Sequence, residues 1–184
     1  MDQHLRRPCL YLASPLGFAA STWTFMEELV ARLDALGFEV LNPWTLPTTT
    51  LAVKDLTDAM EIADPAPRRD RLKEASMRIA AGNEEAIHQS DLVVAVLDGT
   101  DVDSGTAAEI GFAAALGRPI FGLRTDFRPA GDNEGVVVNL QVQWWIELHG
   151  GRVTRTVGEL AAALSALRAG RFGPEAAWDS ASPS

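Results

Sequence analysis

The sequence predicts an α/β fold in which helices cover both faces of one central parallel sheet of about five strands. Short apolar runs alternate with stretches of helical periodicity along the 184 residues, a pattern typical of α/β proteins. The run at residues 92–97 is rich in valine and has no polar alternation, which indicates a central strand covered on both faces. Apolar residues make up 47% of the chain and charged residues 22%, so we expect a single folded domain over residues 1–172.

Turn residues delimit the first two strands and the helix between them. Residues 9–13 form a short apolar run that ends at a serine-proline turn. Phenylalanine and leucine recur at helical spacing over residues 21–36, and Gly37 stands where a left-handed C-terminal cap belongs. Residues 38–41 are predicted as the second strand, which an Asn-Pro pair ends.

The middle of the chain has a weaker pattern. Residues 44–69 contain several prolines and no sustained period, so we predict a long loop with one short helix near residues 53–62. Helical periodicity then runs over residues 71–89, where Gly82 interrupts it at a loss of about 1 kcal/mol relative to alanine. This stretch is predicted as one helix or two.

The second half of the chain returns to the alternation of strands and helices. The predicted strands lie at residues 92–97, at residues 119–123 and near Val153, and the predicted helices at residues 106–116 and 157–167. A further helix carries Leu140, Trp144 and Leu148 on one face, which we interpret as core or as a subunit contact rather than as the lining of a ligand site. Residues 173–184 are predicted to be a flexible tail.

The predicted architecture is therefore a doubly wound, flavodoxin- or Rossmann-like sandwich. Ligands of such folds bind at the carboxyl ends of the strands. In this sequence those ends correspond to the loops after Ala13, Leu97 and Leu123, and polar residues cluster in all of them. We expect the functional site there.

Charge and cysteine content exclude several classes of protein. Lysine and arginine number 16 against 25 aspartates and glutamates, a formal net charge of −9, so no basic surface is available for nucleic acids or anionic membranes. Cys9 is the single cysteine and no Cys/His cluster has zinc spacing, so we expect neither an internal disulfide nor a metal, and no cofactor. The N-terminal apolar run is too short for an export signal, so we expect a cytoplasmic protein.

The strongest functional signal is a pair of carboxylates near the start of a predicted helix. Asp103 lies in the loop after residues 92–97, and Glu109 follows six residues later on the helix. Two such carboxylates can divide the work of breaking a glycosidic bond, one at the anomeric carbon and one handling protons. Gly105 lets a substrate approach the backbone. Spacing alone favours a structural alternative, in which Thr106 and Glu109 form a capping box and Asp103 is a turn residue.

Several motifs occur in a fixed order between residues 11 and 140. They are Tyr11-Leu12-Ala13-Ser14-Pro15 with Gly17-Phe18, Asp91-Leu92-Val93-Val94-Ala95, Asp98-Gly99-Thr100, Asp103-Ser104-Gly105-Thr106-Ala107-Ala108-Glu109-Ile110-Gly111, Gly117-Arg118-Pro119, Arg124-Thr125-Asp126-Phe127-Arg128 and Asn139-Leu140. Each motif alone is weak, but the ordered set resembles the nucleoside 2-deoxyribosyltransferase family.

The resemblance implies roles for four residues. Glu109 matches the nucleophile, which attacks the anomeric carbon of 2-deoxyribose, and Tyr11 matches a tyrosine that orients it. Asp103 matches the aspartate that faces the base. Asn139 matches an asparagine that binds the sugar's 5-hydroxyl in a neighbouring subunit's site, so the resemblance also implies a homo-oligomer of at least two chains. From the sequence alone, Tyr11 is equally well a half-buried core aromatic and Asn139 a helix cap.

One position departs from the family's pattern. Eight residues before Asp91, many members place an aspartate implicated as the proton donor, whereas this chain has Asn83, which does not titrate. Protonation of the leaving base then falls to Asp103 or to water. The positions expected to contact substrate are Asn83, Gly105, Asn139, Ser14 and Phe18.

The function that the resemblance implies is exchange of the base on a 2'-deoxyribonucleoside. A covalent deoxyribosyl ester of Glu109 forms and a free purine or pyrimidine base then takes the sugar, with net retention as in a retaining glycosidase. One alternative is hydrolysis of deoxynucleosides or their 5'-monophosphates on the same fold. A second is a non-catalytic nucleotide-binding module in which Glu109 is only a cap.

Overall fold

A five-stranded parallel sheet forms the centre of the protein, whose computed structural model describes residues 6–172. Its strands are β1 (Cys9–Ala13), β2 (Glu39–Leu41), β3 (Leu92–Val96), β4 (Ile120–Leu123) and β5 (Arg152–Thr154). They are ordered β2-β1-β3-β4-β5 and every neighbouring pair is parallel. This is the flavodoxin-like order, in which the direction of winding reverses between β1 and β3. The predicted α/β class is confirmed.

Six α-helices connect and flank the strands in the part of the chain that the structure describes. They are α1 (Trp23–Ala35), α2 (Pro47–Met60), α3 (Pro65–Gln89), α4 (Ser104–Ala115), α5 (Leu140–Leu148) and α6 (Val157–Arg171). Two 3-10 turns, Leu16–Phe18 and Ala20–Thr22, precede α1. None of the helices within residues 6–172 has both the length and the apolar character needed to cross a membrane. The predicted tail at residues 173–184 lies outside the described residues.

The sheet separates two hydrophobic cores, and β3 contributes to both. Its side chains alternate in direction, so Val94 packs with α1 and α6 on one face while Val93 and Ala95 pack with α3, α4 and α5 on the other. Every residue of β3 is buried. This explains why residues 92–97 lack the polar alternation of a half-exposed strand.

The prediction of a long loop over residues 44–69 is wrong, because most of this segment belongs to α2 and α3. Pro47 and Pro65 occupy the first helical positions, where the amide that proline lacks would have no partner within the helix. The Asp64 side chain caps α3 by accepting a hydrogen bond from the amide of Ala66 at 3.1 Å. The prolines therefore mark helix starts, and residues 71–89 belong to one helix that begins at Pro65.

The close packing of α2 against α3 depends on Gly82. A Cβ atom at this position would lie 2.5 Å from Thr48 Oγ1 and 3.1 Å from Thr48 Cβ. A glycine that weakens an isolated helix therefore lets two helices approach each other. Thr49 and Asn83 are the next residues along each helix, so both lie close to this contact along the hairpin.

Replacing Gly82 with alanine is expected to lower the free energy of unfolding by about 1 kcal/mol, because overpacking outweighs the gain in helix propensity. Gly170 in α6 provides the matched control, since an added Cβ there meets nothing within 4 Å. Gly170→Ala is expected to gain up to about 1 kcal/mol. Urea denaturation of both variants measures the difference, and an equal gain at both positions would show that the α2–α3 contact is not tight.

Candidate active site

A cavity of about 280 Å³ opens where the carboxyl ends of β1 and β3 meet, beside the α2–α3 hairpin. Its apolar lining consists of Phe18, Pro43, Trp44, Val53, Leu56 and Ile79. The remaining lining residues are Ser14, Thr49, Asn83, Asp103, Gly105, Thr106 and Glu109. Six of the residues predicted for the site thus surround one space. The loop after Leu123, which we expected to contribute, supplies none of this lining.

Glu109 makes two hydrogen bonds to neutral side chains from other elements. Its Oε1 atom accepts from the Tyr11 hydroxyl at 2.7 Å and from Asn83 Nδ2 at 3.3 Å. Tyr11 belongs to β1, Asn83 to α3 and Glu109 to α4. Three elements that are distant in sequence therefore meet at one carboxylate.

The capping-box alternative for Glu109 is wrong. The N-cap of α4 is Asp103, whose Oδ2 atom accepts hydrogen bonds from the amide of Thr106 at 3.0 Å and from its hydroxyl at 3.3 Å. The helix begins at Ser104, two residues before the predicted start, so Glu109 lies on its second turn. The Glu109 side chain is consequently free to face the cavity.

Burial sets the protonation of Glu109. Loss of hydration, with a smaller contribution from the negative charge of Asp103, raises its pKa from 4.5 to about 7. The hydrogen bonds from Tyr11 and Asn83 act in the opposite direction, since they stabilise the ionised form. At neutral pH the group therefore stands near its titration midpoint, where a carboxylate is both available and unusually basic.

Tyr11 stays protonated and donates to the ionised form of Glu109. Burial, followed by the nearby charge of Glu109, raises the pKa of the Tyr11 hydroxyl far above its ordinary range. The ring is fully buried in the core beneath α4 and the hydroxyl reaches the carboxylate. The residue is thus a core aromatic with one polar contact, so the two interpretations of Tyr11 do not exclude each other.

Asn83 and Thr49 each carry a buried polar atom without a partner among residues 6–172. Because an ionised carboxylate only accepts hydrogen bonds, the amide nitrogen of Asn83 faces Glu109 and its Oδ1 atom is directed elsewhere. That Oδ1 atom and Thr49 Oγ1 are both unpaired. Buried polar atoms normally find partners, and because both residues line the cavity, a bound ligand or water can supply the missing contact.

Trp44 forms an aromatic corner with Phe18 at the mouth of the cavity. The two rings meet edge to face with centroids 4.6 Å apart, and the Trp44 indole nitrogen donates to the Ser14 carbonyl at 3.0 Å. Gly17 makes room for the indole, since a Cβ there would lie 1.9 Å from the ring. Phe18 is 79% exposed, which leaves its face available to a base. The Ser14 hydroxyl already accepts a hydrogen bond from the Leu16 amide.

The loop that leads to Asp103 is held by a buried arginine that the sequence analysis did not single out. Arg124, at the end of β4, is fully buried and donates to the carbonyls of Leu97, Gly99 and Arg128. A second link runs the other way, because the Asp98 carboxylate accepts from the amide and hydroxyl of Thr125 at 2.6 Å each. The loop after β4 therefore positions the loop after β3 instead of lining the cavity.

Asn139 lies outside the cavity of its own chain. Its side-chain oxygen accepts from the amides of Gln141 at 3.0 Å and Val142 at 3.4 Å, so within one chain it caps α5. On the same helix Trp144 is 59% exposed and Trp145 packs over Gly111. Trp144 thus belongs to the surface of one chain, and neither tryptophan lines the cavity.

Metal chemistry has no candidate centre in the described part of the chain. Within residues 6–172, histidine, cysteine, aspartate and glutamate form no group of three or more that could hold an ion. The functional groups that line the cavity are two carboxylates, one amide and three hydroxyls, and the Tyr11 phenol contacts Glu109 from the core.

Comparison with known proteins identifies the family. The sequence profile described as nucleoside 2-deoxyribosyltransferase matches residues 10–141, which confirms the resemblance, and the chain belongs to this family. A relative described as uncharacterized protein C191.05c, from Schizosaccharomyces pombe, is 29% identical over 125 residues. That match covers 66% of this chain and 52% of the relative, so the chain spans about half the length of the relative.

Solved structures show the same fold. A conserved protein from Enterococcus faecalis V583 is similar with a TM-score of 0.63 and 26% identity, covering 88% of this chain and 99% of the other. A 2-desoxiribosyltransferase from Leishmania mexicana has a TM-score of 0.56 and 22% identity, covering 87% and 96%. A 2-deoxyribosyltransferase from Bacillus psychrosaccharolyticus has a TM-score of 0.56 and 20% identity, covering 83% and 90%.

Substitutions of Tyr11 and of Asp103 are expected to shift the pKa of Glu109 in opposite directions. Tyr11→Phe removes a donor to the ionised form and raises the pKa above its value of about 7. Asp103→Asn removes a like charge and lowers it, and asparagine still caps a helix. A carbon-13 NMR titration of glutamate side chains reads both shifts. A Tyr11→Phe protein in which the pKa of Glu109 falls would contradict this arrangement.

Thr49→Val is expected to raise the free energy of unfolding by about 1 kcal/mol, because it removes a buried hydroxyl that has no partner in the ligand-free chain. Thr50 is the matched control on the same helix, since it is exposed and its hydroxyl donates to the Leu46 carbonyl at 3.1 Å. Thr50→Val should bring no such gain. Chemical denaturation compares the two variants. A clear loss of stability in Thr49→Val alone would show that the Thr49 hydroxyl has a hydrogen-bond partner in the folded protein.

Proposed function

We propose that this protein exchanges the base of 2'-deoxyribonucleosides through a covalent deoxyribosyl ester of Glu109. The observation that carries the proposal is the Glu109 carboxylate, held by Tyr11 and Asn83 and raised in pKa by burial, at one end of a largely apolar cavity. Membership of the nucleoside 2-deoxyribosyltransferase family supports the same chemistry.

The reaction proceeds in two displacements at the anomeric carbon. Glu109 attacks that carbon, the bond to the base breaks, and its electron pair leaves with the base, which takes a proton from Asp103 or water. A nitrogen of the incoming base then attacks the same carbon, releases the Glu109 carboxylate and returns its proton to the group that protonated the first base. Two inversions give net retention. The positive charge that develops on the sugar is stabilised by the ionised Glu109.

The neighbours of Glu109 orient it without neutralising it. Tyr11 and Asn83 are neutral donors, so they fix the position of the carboxylate and leave its negative charge unpaired by any cation. Asn83 does not titrate, which leaves Asp103 as the ionisable side chain that lines the cavity beside Glu109. We therefore assign base protonation to Asp103, which acts directly or through water in the fraction of molecules where its carboxyl group is protonated.

The cavity favours a free nucleoside over a 5'-monophosphate. No lysine or arginine is among the residues that line it, whereas Asp103 and Glu109 both are. A phosphate dianion would meet two carboxylates without a compensating cation. This argues against the hydrolysis of nucleoside 5'-monophosphates. The non-catalytic alternative depended on Glu109 as a helix cap, and Asp103 occupies that position.

A homo-oligomer with shared sites remains part of the proposal. Asn139 does not line the cavity of its own chain, so it can contact a sugar only in a neighbouring subunit. Next to it, Leu140, Trp144 and Leu148 form an apolar stripe on α5 that is 53%, 59% and 45% exposed. A second subunit that covers this stripe on the first would bring the Asn139 side chain of the first subunit toward the cavity of the second.

Glu109→Gln is expected to abolish base exchange while the fold remains. With deoxyinosine and adenine, the wild-type protein should form deoxyadenosine, and the variant should lose at least about three orders of magnitude in rate. Hypoxanthine release without deoxyadenosine would indicate a hydrolase. Near-normal exchange in the variant would show that Glu109 is not the nucleophile.

The same variant has a stability signature that serves as its folding control. Because the pKa of Glu109 is raised in the folded state, the wild-type protein loses stability as the pH rises from about 4.5 to about 7. Glutamine does not titrate, so Glu109→Gln should melt at a higher temperature than the wild type at pH 8. Calorimetry at pH 5 and pH 8 measures the difference in melting temperature between Glu109→Gln and the wild type, which is expected to be larger at pH 8.

A further inference from the structure

The polarity of the cavity changes along the α2–α3 hairpin. On α2, Thr49, Val53 and Leu56 follow helical spacing and line the cavity together, as do Ile79 and Asn83 on α3. Since α2 and α3 run in opposite directions and touch at Thr48 and Gly82, Thr49 and Asn83 lie at nearly the same level, offset by about 3 Å along the helix axes.

That level is the catalytic end of the hairpin, because Asn83 donates to Glu109. Val53 and Ile79 lie one helical turn further from it, and Leu56 lies beyond them. Among the hairpin residues that line this cavity, the polar ones therefore lie at the level of Glu109 and the ones farther away are all aliphatic.

The distal region offers a base nothing to hydrogen-bond with through its side chains. Val53, Leu56 and Ile79 are aliphatic, and Pro43 and Trp44 extend the apolar lining. A polar group of a base that enters this region loses hydration without a replacement, whereas a methyl group gains apolar contacts.

We propose that Val53, Leu56 and Ile79 form a subsite for an apolar substituent on the nucleobase, so that the enzyme prefers a methylated base to the same base carrying hydrogen. This rests on the proposed function, because it concerns the base transferred at Glu109. The subsite is the part of the cavity that is continuous with the catalytic carboxylate and aliphatic on both helices. The subsite selects among bases by burying a methyl group and not by forming hydrogen bonds with the base.

The test compares bases that differ by one methyl group as acceptors from deoxyinosine. Thymine should exceed uracil, or 6-methylpurine should exceed purine, by at least about fourfold in kcat/KM, the value expected for burial of one methyl group. If exchange occurs and neither methylated base is preferred, the subsite is disproved while the proposed function stands. If no base accepts the sugar, the proposed function fails and the subsite fails with it.

Two leucines of α2 provide a matched pair of variants. Leu56 lines the cavity, whereas Leu51 is 68% exposed on the same helix and does not line it. Leu56→Thr should reduce the preference for the methylated base toward one, and Leu51→Thr should leave it unchanged. Ile79→Thr tests the same subsite from α3 should Leu56→Thr fail to fold. An equal effect of Leu51→Thr and Leu56→Thr would overturn the assignment.

Discussion

The hydrogen bond from the Tyr11 hydroxyl to Glu109, 2.7 Å long, is the contact on which the rest of the site depends. It joins a core residue of β1 to a carboxylate on α4, across the point where the winding of the sheet reverses. Burial alone would favour a protonated, unreactive acid, and a cation alone would give a stable ion pair with a weakly nucleophilic carboxylate. Two neutral donors avoid both outcomes, because they orient the carboxylate and keep its pKa near 7.

The fold holds this arrangement from two sides. Beneath it, Tyr11 packs in the core between the sheet and α3, α4 and α5. Beside it, Arg124 ties the loop after β3 to the loop after β4 through backbone carbonyls. Burial of the Arg124 guanidinium costs free energy of hydration, which its hydrogen bonds to neutral carbonyls offset only in part. We infer that the contribution of Arg124 is to fix the loop before Asp103.

Much of the fold could be predicted from the sequence because its signals are local. Residues 92–97 are buried on both faces, which removes polar alternation, and Gly37 adopts a φ of +90°, which only glycine does easily. Helical periodicity showed the later part of α3, but the extent of α2 and the start of α3 could not be predicted in the same way. The buried positions of α2 are Thr49, Ala52 and Ala59, so no apolar period appears there, and the prolines at the helix starts resemble loop signals.

The residues of the candidate site likewise include some that local sequence signals predict and others that they do not. Tyr11 lies within β1, and Asp103 and Glu109 lie at or near the start of α4, where a sequence motif can be seen. Spacing alone still favoured the wrong cap, since Thr106 and Glu109 fit a capping box as well as Asp103 fits the N-cap. The apolar lining from Trp44 and the hairpin depends on how distant segments pack, and no short motif records it. Trp44 alone had a usable signal, since it closely follows a strand end.

Trapping the sugar on the protein tests the central claim most directly. A 2'-deoxy-2'-fluoro nucleoside should react slowly, because the fluorine opposes positive charge at the neighbouring carbon, and should leave its sugar on the enzyme. Mass spectrometry of the digested protein is predicted to find the added fluorinated pentose on the peptide at Glu109, and to find none in Glu109→Gln. An adduct at Asp103, or steady base exchange with no adduct at Glu109, would contradict the account.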